Sequence, residues 1–581
     1  MSLMRIDMSR TSATMEPLPA KKPQDRMVGG RAIIDWFMTE RVSPRIHPLS
    51  VGSPFIAAPG ILAGTGAPSA GRISIGGKSP LTGGIKEANA GGTAAYRLGR
   101  LGISAIVVEG KASEWTVLRV GSKGAAFEPA SDVVGLDNYE ACAKLRERYG
   151  EKVGIIITGP AGERLYANST VAVTDLEGRP CRHAARGGVG AIMGAKRLKA
   201  IVIDDTDTSL RKASDQAAFL SAVKSAIETM KTEGPYCDIV HTKSTVWSLD
   251  IDNGQGALQT YNYHRGSFDK AGNINADRFM ELNRARVGSS GMGHSCSPGC
   301  VVQCSNLFYG PTGELVTAAF EYETLTFLGS NLGIDDIDAI ARMDRKCDGL
   351  GIDTIETGSA IGILSDVGLF EFGDAERAEA LIEEIAKGTL MGRVLGNGTQ
   401  LTAKVFGIDR VPTVKGQAIS AHSGRALKGW GVTFATSPQG ADHTAGPVAW
   451  GDFLSPVGQV ALSRDSQIIN TAIDATGLCH FTFAFIYPQI IMPMINAFLG
   501  TDFTLDDFLG LGKEMLLRER SFNLKAGIGP GADALPEWMR FEPLPPKNSV
   551  FDVPQEEIDE FFNFELSTGG PDISKLDSPY S

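Results

Sequence analysis

Hydrophobic and polar positions follow three regimes along the chain. Up to about Asp205, short apolar runs alternate with glycine-rich turns. Ile103-Ser104-Ala105-Ile106-Val107-Val108, Gly154-Ile155-Ile156-Ile157 and Lys199-Ala200-Ile201-Val202-Ile203 have the length and β-branched content of buried strands. Beyond the acidic break Asp204-Asp205-Thr206-Asp207 the apolar positions take a helical period, kept to about Gln400. Ser214 is the predicted cap of a helix burying Phe219, Val223, Ala226 and Met230. Asp374 is the predicted cap of another, with Leu381, Ile385 and Met391 facing inward. From about Leu401 the pattern is mixed, glycine-rich from Gly424 to Gly440 and then helical and apolar. Gly477 to Gly500 approaches the apolarity of a membrane span, but His480, Pro488, Gln489, Pro493 and Asn496 interrupt it, so a buried core helix is expected. From about Asp533 the chain turns proline-rich and acidic, and a surface tail around Gln555 to Glu560 is predicted.

Composition narrows the function classes. At 581 residues the chain needs several domains, and 43% hydrophobic with 21% charged residues leaves ample core. A net charge of −11 argues against nucleic acid or an anionic membrane as partner. The N-terminus lacks the apolar run of a signal peptide, and Cys142, Cys181, Cys237, Cys347 and Cys479 are too scattered for a disulfide framework. A reducing cytoplasm is the expected location.

The glycine turns run Gly64 to Arg72, Lys78 to Gly84, Asn89 to Thr93 and Arg186 to Ala191. None is a G-x4-G-K-[ST] loop, and no G-x-G-x-x-G opens a helix after a strand. Each is either turn chemistry or a place where backbone N–H groups recognise a phosphate or a pterin.

Three of the eight cysteines, Cys296, Cys300 and Cys304, fall within nine residues as C-x3-C-x3-C. Thiolates this dense, with Pro298 and Gly299 permitting a tight turn, can converge on one soft metal centre. Zinc sites use well-separated pairs, absent here; a radical-type cluster uses three close cysteines at a different spacing; three reduced thiols are the bland alternative. An iron–sulfur centre fits best, and a four-iron cluster then needs a fourth ligand. One short pattern occurs twice, as Asp348 to Asp353 and Asp474 to Cys479, both D-x-x-G-[LI]-[DC]. A repeated carboxylate-and-glycine turn, unless coincidental, offers equivalent acceptors to the N–H groups of two copies of one ligand. The second copy ends in Cys479, which supplies the missing thiolate.

In their joint order, from Val28-Gly29-Gly30-Arg31 to Cys479, these motifs resemble the tungsten-containing aldehyde ferredoxin oxidoreductase family over nearly the whole chain. The resemblance implies tungsten, or molybdenum, chelated by two pterins, magnesium at the pterin phosphates and one [4Fe-4S] cluster. It implies cluster ligation by Cys296, Cys300, Cys304 and Cys479. Asp348, Ile352 and Asp353 would hold one pterin, Asp474 and Leu478 the other. Arg72 matches an arginine between pterin and cluster. Asn89, Gly91 and the Ala185-Arg186-Gly187-Gly188 turn match groups around the phosphates. Glu323 and His443 match a glutamate and a histidine kept near the metal, and both types suit an oxidation that needs a base and a carbonyl-polarising donor.

The chain departs from the family in two ways. The commonest spacing there is C-x2-C-x3-C, and the extra residue here resembles a bacterial subset whose members are not all aldehyde oxidases. The E-x-x-H motif that bridges subunits through iron in some homologues is absent, so a homo-oligomer stays open but is not inferred. The stretch from His443 to Asp474 is also short, which leaves substrate size undetermined.

The expected fold is α+β multidomain: a β-rich pterin-cradling domain at 1–205, then two mainly helical domains at 206–400 and 401–581, each supplying one D-x-x-G turn. The expected function is oxidation of aldehydes to carboxylic acids, with electrons passed to ferredoxin or an iron–sulfur subunit. The alternatives are 2-oxo/2-hydroxy carboxylate interconversion, reduction of an acyl or aromatic thioester, or a non-catalytic electron-transfer subunit.

Overall fold

The computed structural model describes residues 2–18, 27–232, 235–448, 451–482, 484 and 488–564, with side chains except at 235–237. Strands β1 (Ser2–Asp7), β2 (Ser12–Pro17), β3 (Phe55–Pro59), β4 (Ile73–Lys78), β5 (Ile85–Ala90) and β6 (Ile103–Glu109) form a sheet in the order β2-β1-β6-β3-β4-β5. Strands β7 (Thr116–Gly121), β8 (Gly124–Pro129), β9 (Gly154–Thr158), β10 (Val171–Val173), β11 (Arg182–Ala184) and β12 (Leu198–Asp204) form a second, in the order β11-β10-β9-β12-β7-β8. Taken from its other edge, the second sheet is the first with six added to every strand number. In each, one pair is parallel, β1 with β6 and β7 with β12, and every other pair is antiparallel. The twelve strands from Ser2 to Asp204 are thus two copies of one topology, a duplication the sequence pattern did not announce.

The three expected strands are β6, β9 and β12. They read as continuous apolar runs because both faces are covered. Helices α1 (Gly30–Arg41) and α3 (Asn138–Tyr149) pack on the outer faces. Between the sheets, α2 (Ala94–Arg100) and α5 (Val189–Ala195) touch strands of both, and a single core joins Ile73, Ile106, Ile156 and Ile201. A one-turn helix α4 (Pro160–Glu163) follows β9.

The chain then becomes helical, with α6 (Gln216–Thr232), α7 (Pro235–Lys243), α8 (Trp247–Gln255), α9 (Ala276–Val287), α10 (Tyr322–Phe327), α11 (Ile337–Leu350), α12 (Thr354–Ile363), α13 (Ala375–Lys387), α14 (Leu390–Leu395) and α15 (Thr399–Phe406). The last part carries α16 (Lys428–Thr436), α17 (Gln459–Thr476), α18 (Ile491–Leu499) and α19 (Leu505–Ala526). The expected α+β architecture, sheets first and helices after, is what the chain forms.

Local expectations fare unevenly. Asp374 does cap α13, accepting from Arg377 N, and Leu381 and Ile385 are buried, but Met391 belongs to α14. For α6 the cap is Asp215, whose carboxylate accepts from Ala218 N at 2.9 Å, rather than Ser214. The apolar stretch after Gly477 is no single core helix: short 3-10 turns at His480–Thr482 and Pro488–Ile490 precede the nine-residue α18, since prolines break the ladder. Among the described residues no helix is long and apolar enough to cross a membrane. Around Gln555 to Glu560 the acidic side chains are exposed as expected, but the stretch is anchored rather than a loose tail. Phe551, Val553, Ile558 and Phe561 are at most 1% exposed and enter the largest core, which also holds residues of α10 to α14.

Candidate functional site

Both D-x-x-G turns are helix ends. Asp348 sits in the last turn of α11 with Gly351 after it at φ 72°, and Asp474 in the last turn of α17 with Gly477 at φ 83°. Stopping a helix in the left-handed region is why glycine stands there. Each turn is seated by one six-stranded unit through equivalent positions. After β3, a Cβ on Gly60 would lie 2.0 Å from Gly477 N; after β9, a Cβ on Gly159 would lie 2.3 Å from Leu350 O. Arg72, just before β4, donates its N–H to Gly477 O (3.1 Å), and Thr170, just before β10, donates to Gly351 O (2.8 Å). The second residue of each outer helix reaches the aspartate: Arg31 Nη1 to Asp474 Oδ2 and Tyr139 Oη to Asp348 Oδ2, both 3.1 Å. A histidine faces the other oxygen, His480 Nε2 at 3.0 Å from Asp474 Oδ1 and His183 Nε2 at 3.2 Å from Asp348 Oδ1. Burial alone would raise Asp474, but His480 and Arg31 hold it below the usual carboxylate value.

The residues after each turn differ. Asp353 caps α12 through Ile355 N (3.0 Å) and meets Arg186 Nε at 3.4 Å; burial lifts it to about 6. Ile352 is buried and bridges Ser169, while buried Leu478 donates its N–H to Thr476 Oγ1 (3.0 Å). Half-buried Ala185 links β11 to the Gly187-Gly188 turn, whose φ values are 83° and 76°. Arg186 also donates to the carbonyls of Ala418 and Ala441.

The cysteines converge through Ser69, a residue at φ 50°. Its N–H donates to Gly299 O (2.9 Å), its hydroxyl accepts from Val301 N (3.1 Å), and its carbonyl accepts from Cys479 N (3.0 Å). One residue therefore clamps the C-x3-C-x3-C loop to the second D-x-x-G turn. Gly92 N donates to Cys296 O (3.1 Å), and a Cβ on Gly91 would be 3.2 Å from Cys296 Sγ and 3.5 Å from Arg72 Nη1. Gly91 thus leaves room for a thiol as well as flanking Asn89, which accepts from Arg72 Nε.

A hydrogen bond from Cys300, against burial and with Arg182 and Arg72 nearby, brings Cys296 well below the ordinary thiol value. Cys300 is raised by that same bond, Cys304 and Cys479 by burial and by the neighbouring thiols. Four adjacent thiols cannot all ionise without a cation among them, which is how a metal-cluster donor set behaves. No three described His, Cys, Asp or Glu side chains converge tightly enough for a single ion; a four-iron cluster does not require that, because each thiolate takes a different iron. Buried Arg182 Nε has no hydrogen-bond partner among the described residues. By contrast burial pushes Cys142 up to about 12 and also raises Cys181 and Cys347, as for inert core thiols. The Cys237 side chain lies outside the described residues.

Arg186 connects this region to the last two candidates through Ala441, next to Asp442 and His443. Glu323 opens α10 and accepts from Ala421 N (3.0 Å). Its Oε1 faces His443 Nδ1 at 3.3 Å, and neither atom has a hydrogen-bond partner among the described residues. Burial keeps His443 below the ordinary histidine value despite Glu323. Sequence reasoning missed His422, Asp252, Tyr322 and Trp430 beside this pair. His422 Nδ1 is 2.7 Å from Asp252 Oδ2, which also accepts from Tyr322 Oη (2.6 Å). The His422 ring stacks on Trp430 at 4.3 Å and lies 6.1 Å from the His443 ring. Tyr322, adjacent to Glu323, was the one available signal.

Residues 3–205 match the family described as aldehyde ferredoxin oxidoreductase, N-terminal domain, and residues 221–575 match aldehyde ferredoxin oxidoreductase, domains 2 and 3. The chain is 31% identical to the tungsten-containing aldehyde ferredoxin oxidoreductase of Pyrococcus furiosus, covering 90% of this chain and 88% of that one. It is 22% identical to the WOR-like subunit of an aliphatic sulfonate oxidoreductase from the same organism, over 90% and 86% of the two chains. The active-site complex BamBC of benzoyl coenzyme A reductase superposes at a TM-score of 0.77 with 18% identity, over 97% of this chain and 93% of that one, a likeness of fold. The chain belongs to the tungsten-containing aldehyde ferredoxin oxidoreductase family of oxidoreductases.

Proposed function

We propose that this protein oxidises an aldehyde to its carboxylic acid and passes the electrons, through the cysteine-bound cluster, to ferredoxin or a similar iron–sulfur protein. The observation that carries this reading is the Glu323–His443 pair, whose facing buried atoms make no hydrogen bond among the described residues, set beside two D-x-x-G turns and four converging thiols. In this reading Asp348 and Asp474 accept from the N–H groups of two pterins, and Cys296, Cys300, Cys304 and Cys479 ligate a [4Fe-4S] cluster. Asn89 and the turn from Ala185 to Gly188 lie at the phosphates with magnesium. The bispterin metal supplies the acceptor for the electron pair. Aldehyde and water become the carboxylic acid, two protons and two electrons.

Glu323 takes the proton from water, its carboxylate oriented by Ala421 N. His443, kept neutral by burial, orients the carbonyl through hydrogen bonding. Arg72 N–H on Gly477 O ties the second turn to the residue beside Cys296, so one backbone segment spans both cofactor sites. Elemental analysis with aldehyde-dependent viologen reduction under anoxic conditions tests the reading. About one tungsten or molybdenum and about four iron per chain, with turnover, is the expected result. Iron without tungsten or molybdenum, and no turnover, would make the protein an electron-transfer subunit.

A further inference from the structure

His422 occupies a conformation a histidine seldom adopts, φ 74°. Such strain persists only where the surroundings over-determine it. Here they fix the ring from two sides: Asp252, 3% exposed and already accepting from Tyr322, lies 2.7 Å from Nδ1, and the Trp430 indole stacks on the face at an interplanar angle of 22°. The side chain remains 15% exposed, and Nε2 has no hydrogen-bond partner among the described residues. The ring is therefore aimed, with one N–H left to offer, next to the Glu323–His443 pair.

The two neighbouring imidazoles are shifted in opposite directions. Burial alone would lower His422, but Asp252 raises it above the ordinary histidine value, whereas His443 is held below it. Two imidazoles pushed apart in this way divide the work of a site. In the reading above His443 serves the reacting carbonyl, and His422, whose charged form Asp252 favours and whose ring lies 6.1 Å away, suits an anion.

Resting on the reading above, we propose that His422, positioned by Asp252 and Trp430, binds a carboxylate on the substrate, so that the preferred substrate is an aldehyde or oxo compound bearing a carboxylate near its reacting carbon. The test compares glyoxylate with acetaldehyde, and succinic semialdehyde with butyraldehyde, by viologen reduction. His422→Asn suits the left-handed backbone. It is expected to lower the ratio of kcat/KM for the carboxylated over the neutral partner by about tenfold or more, mainly through KM, the size of one hydrogen bond to a charged group. Equal losses on both partners would overturn the proposal.

A second measurement needs no turnover: binding of propanoate against propanamide to the holoenzyme, by calorimetry. The preference for propanoate should fall about tenfold in His422→Asn and fall also in Asp252→Asn, which keeps the side-chain shape. An unchanged preference would overturn the proposal. Absence of any aldehyde turnover with that preference intact would instead sink aldehyde oxidation and leave the anion site standing.

Discussion

At the scale of single residues, chemistry and assembly can be separated. Cys479 leaves the second turn on a backbone bond to Ser69, the residue that also holds the Cys296 to Cys304 loop. Cys479→Ala is expected to lose the cluster or leave a three-iron species, read by iron content and low-temperature EPR of the reduced protein. Cys142→Ala and Cys347→Ala should match the parent, because those thiols lie in apolar core. Glu323 touches neither the thiols nor a D-x-x-G turn. Glu323→Gln keeps the Ala421 contact while removing the proposed base, so turnover should drop by about 10²- to 10⁴-fold with KM changed less and metal content intact. Loss of tungsten in that variant would make Glu323 a structural residue.

Among elements, the duplicated unit explains why the two D-x-x-G turns are built alike. In both copies a strand is followed by a glycine that lies against the turn, and the residue before the next strand donates to the turn's glycine carbonyl. The copies have diverged where their neighbours differ. Ser74 pairs with Asn89 in β4–β5 as Ala172 pairs with His183 in β10–β11. Arg72 with Asn89 faces the cysteines; Thr170 with His183, 2.7 Å apart, faces Asp348 instead. Gly60→Ala would force a Cβ into the Gly477 backbone, and Gly159→Ala one into Leu350 O. Backbone cannot yield as a flexible side chain does, so each change should cost about 1–3 kcal/mol. Tungsten and pterin content should fall with the melting temperature. A Gly60→Ala protein with full cofactor and unchanged melting would show that the turn is not held from that side.

Across the whole molecule, long buried ion pairs and hydrogen bonds join the units. Arg31 of α1 makes a two-pronged contact with Glu519 of α19 (2.7 and 2.8 Å) while also touching Asp474, so the last long helix is fixed to the first unit. Lys196, from the second unit, is fully buried and donates to Ser50 O (2.8 Å) and Val51 O (3.0 Å) of the first. Burial depresses Lys196 to about 8 from the usual 10.5. Between those values the unfolded chain holds more protons than the folded one, so this lysine makes stability rise with pH across that window. Thermal unfolding of the parent and Lys196→Met, compared at each pH, should show the parent gaining relative to the variant from about pH 8 to 10.5. A constant difference would mean Lys196 titrates normally.

What the sequence determined by itself is what local spacing carries. Alternation and apolar runs marked β6, β9 and β12, the Asp374 cap marked α13, and C-x3-C-x3-C with D-x-x-G-L-C marked two segments that the fold brings together at Ser69, because close cysteine spacing and helix-ending glycines are properties of short segments. Tertiary structure decided the rest. The six-strand duplication resides in strand order and register, which side-chain pattern does not encode. Ser69 as the clamp depends on a positive φ and on bonds to residues hundreds of positions away. Asp252, Tyr322, His422 and Trp430 are far apart along the chain or in different elements, and only packing could set Asp252 and Trp430 around one imidazole beside the Glu323–His443 pair. The acidic C-terminal stretch looked solvated by charge, and Glu556, Glu557, Asp559 and Glu560 do stay exposed, yet Phe551, Val553, Ile558 and Phe561 bury enough apolar surface to anchor it on the core.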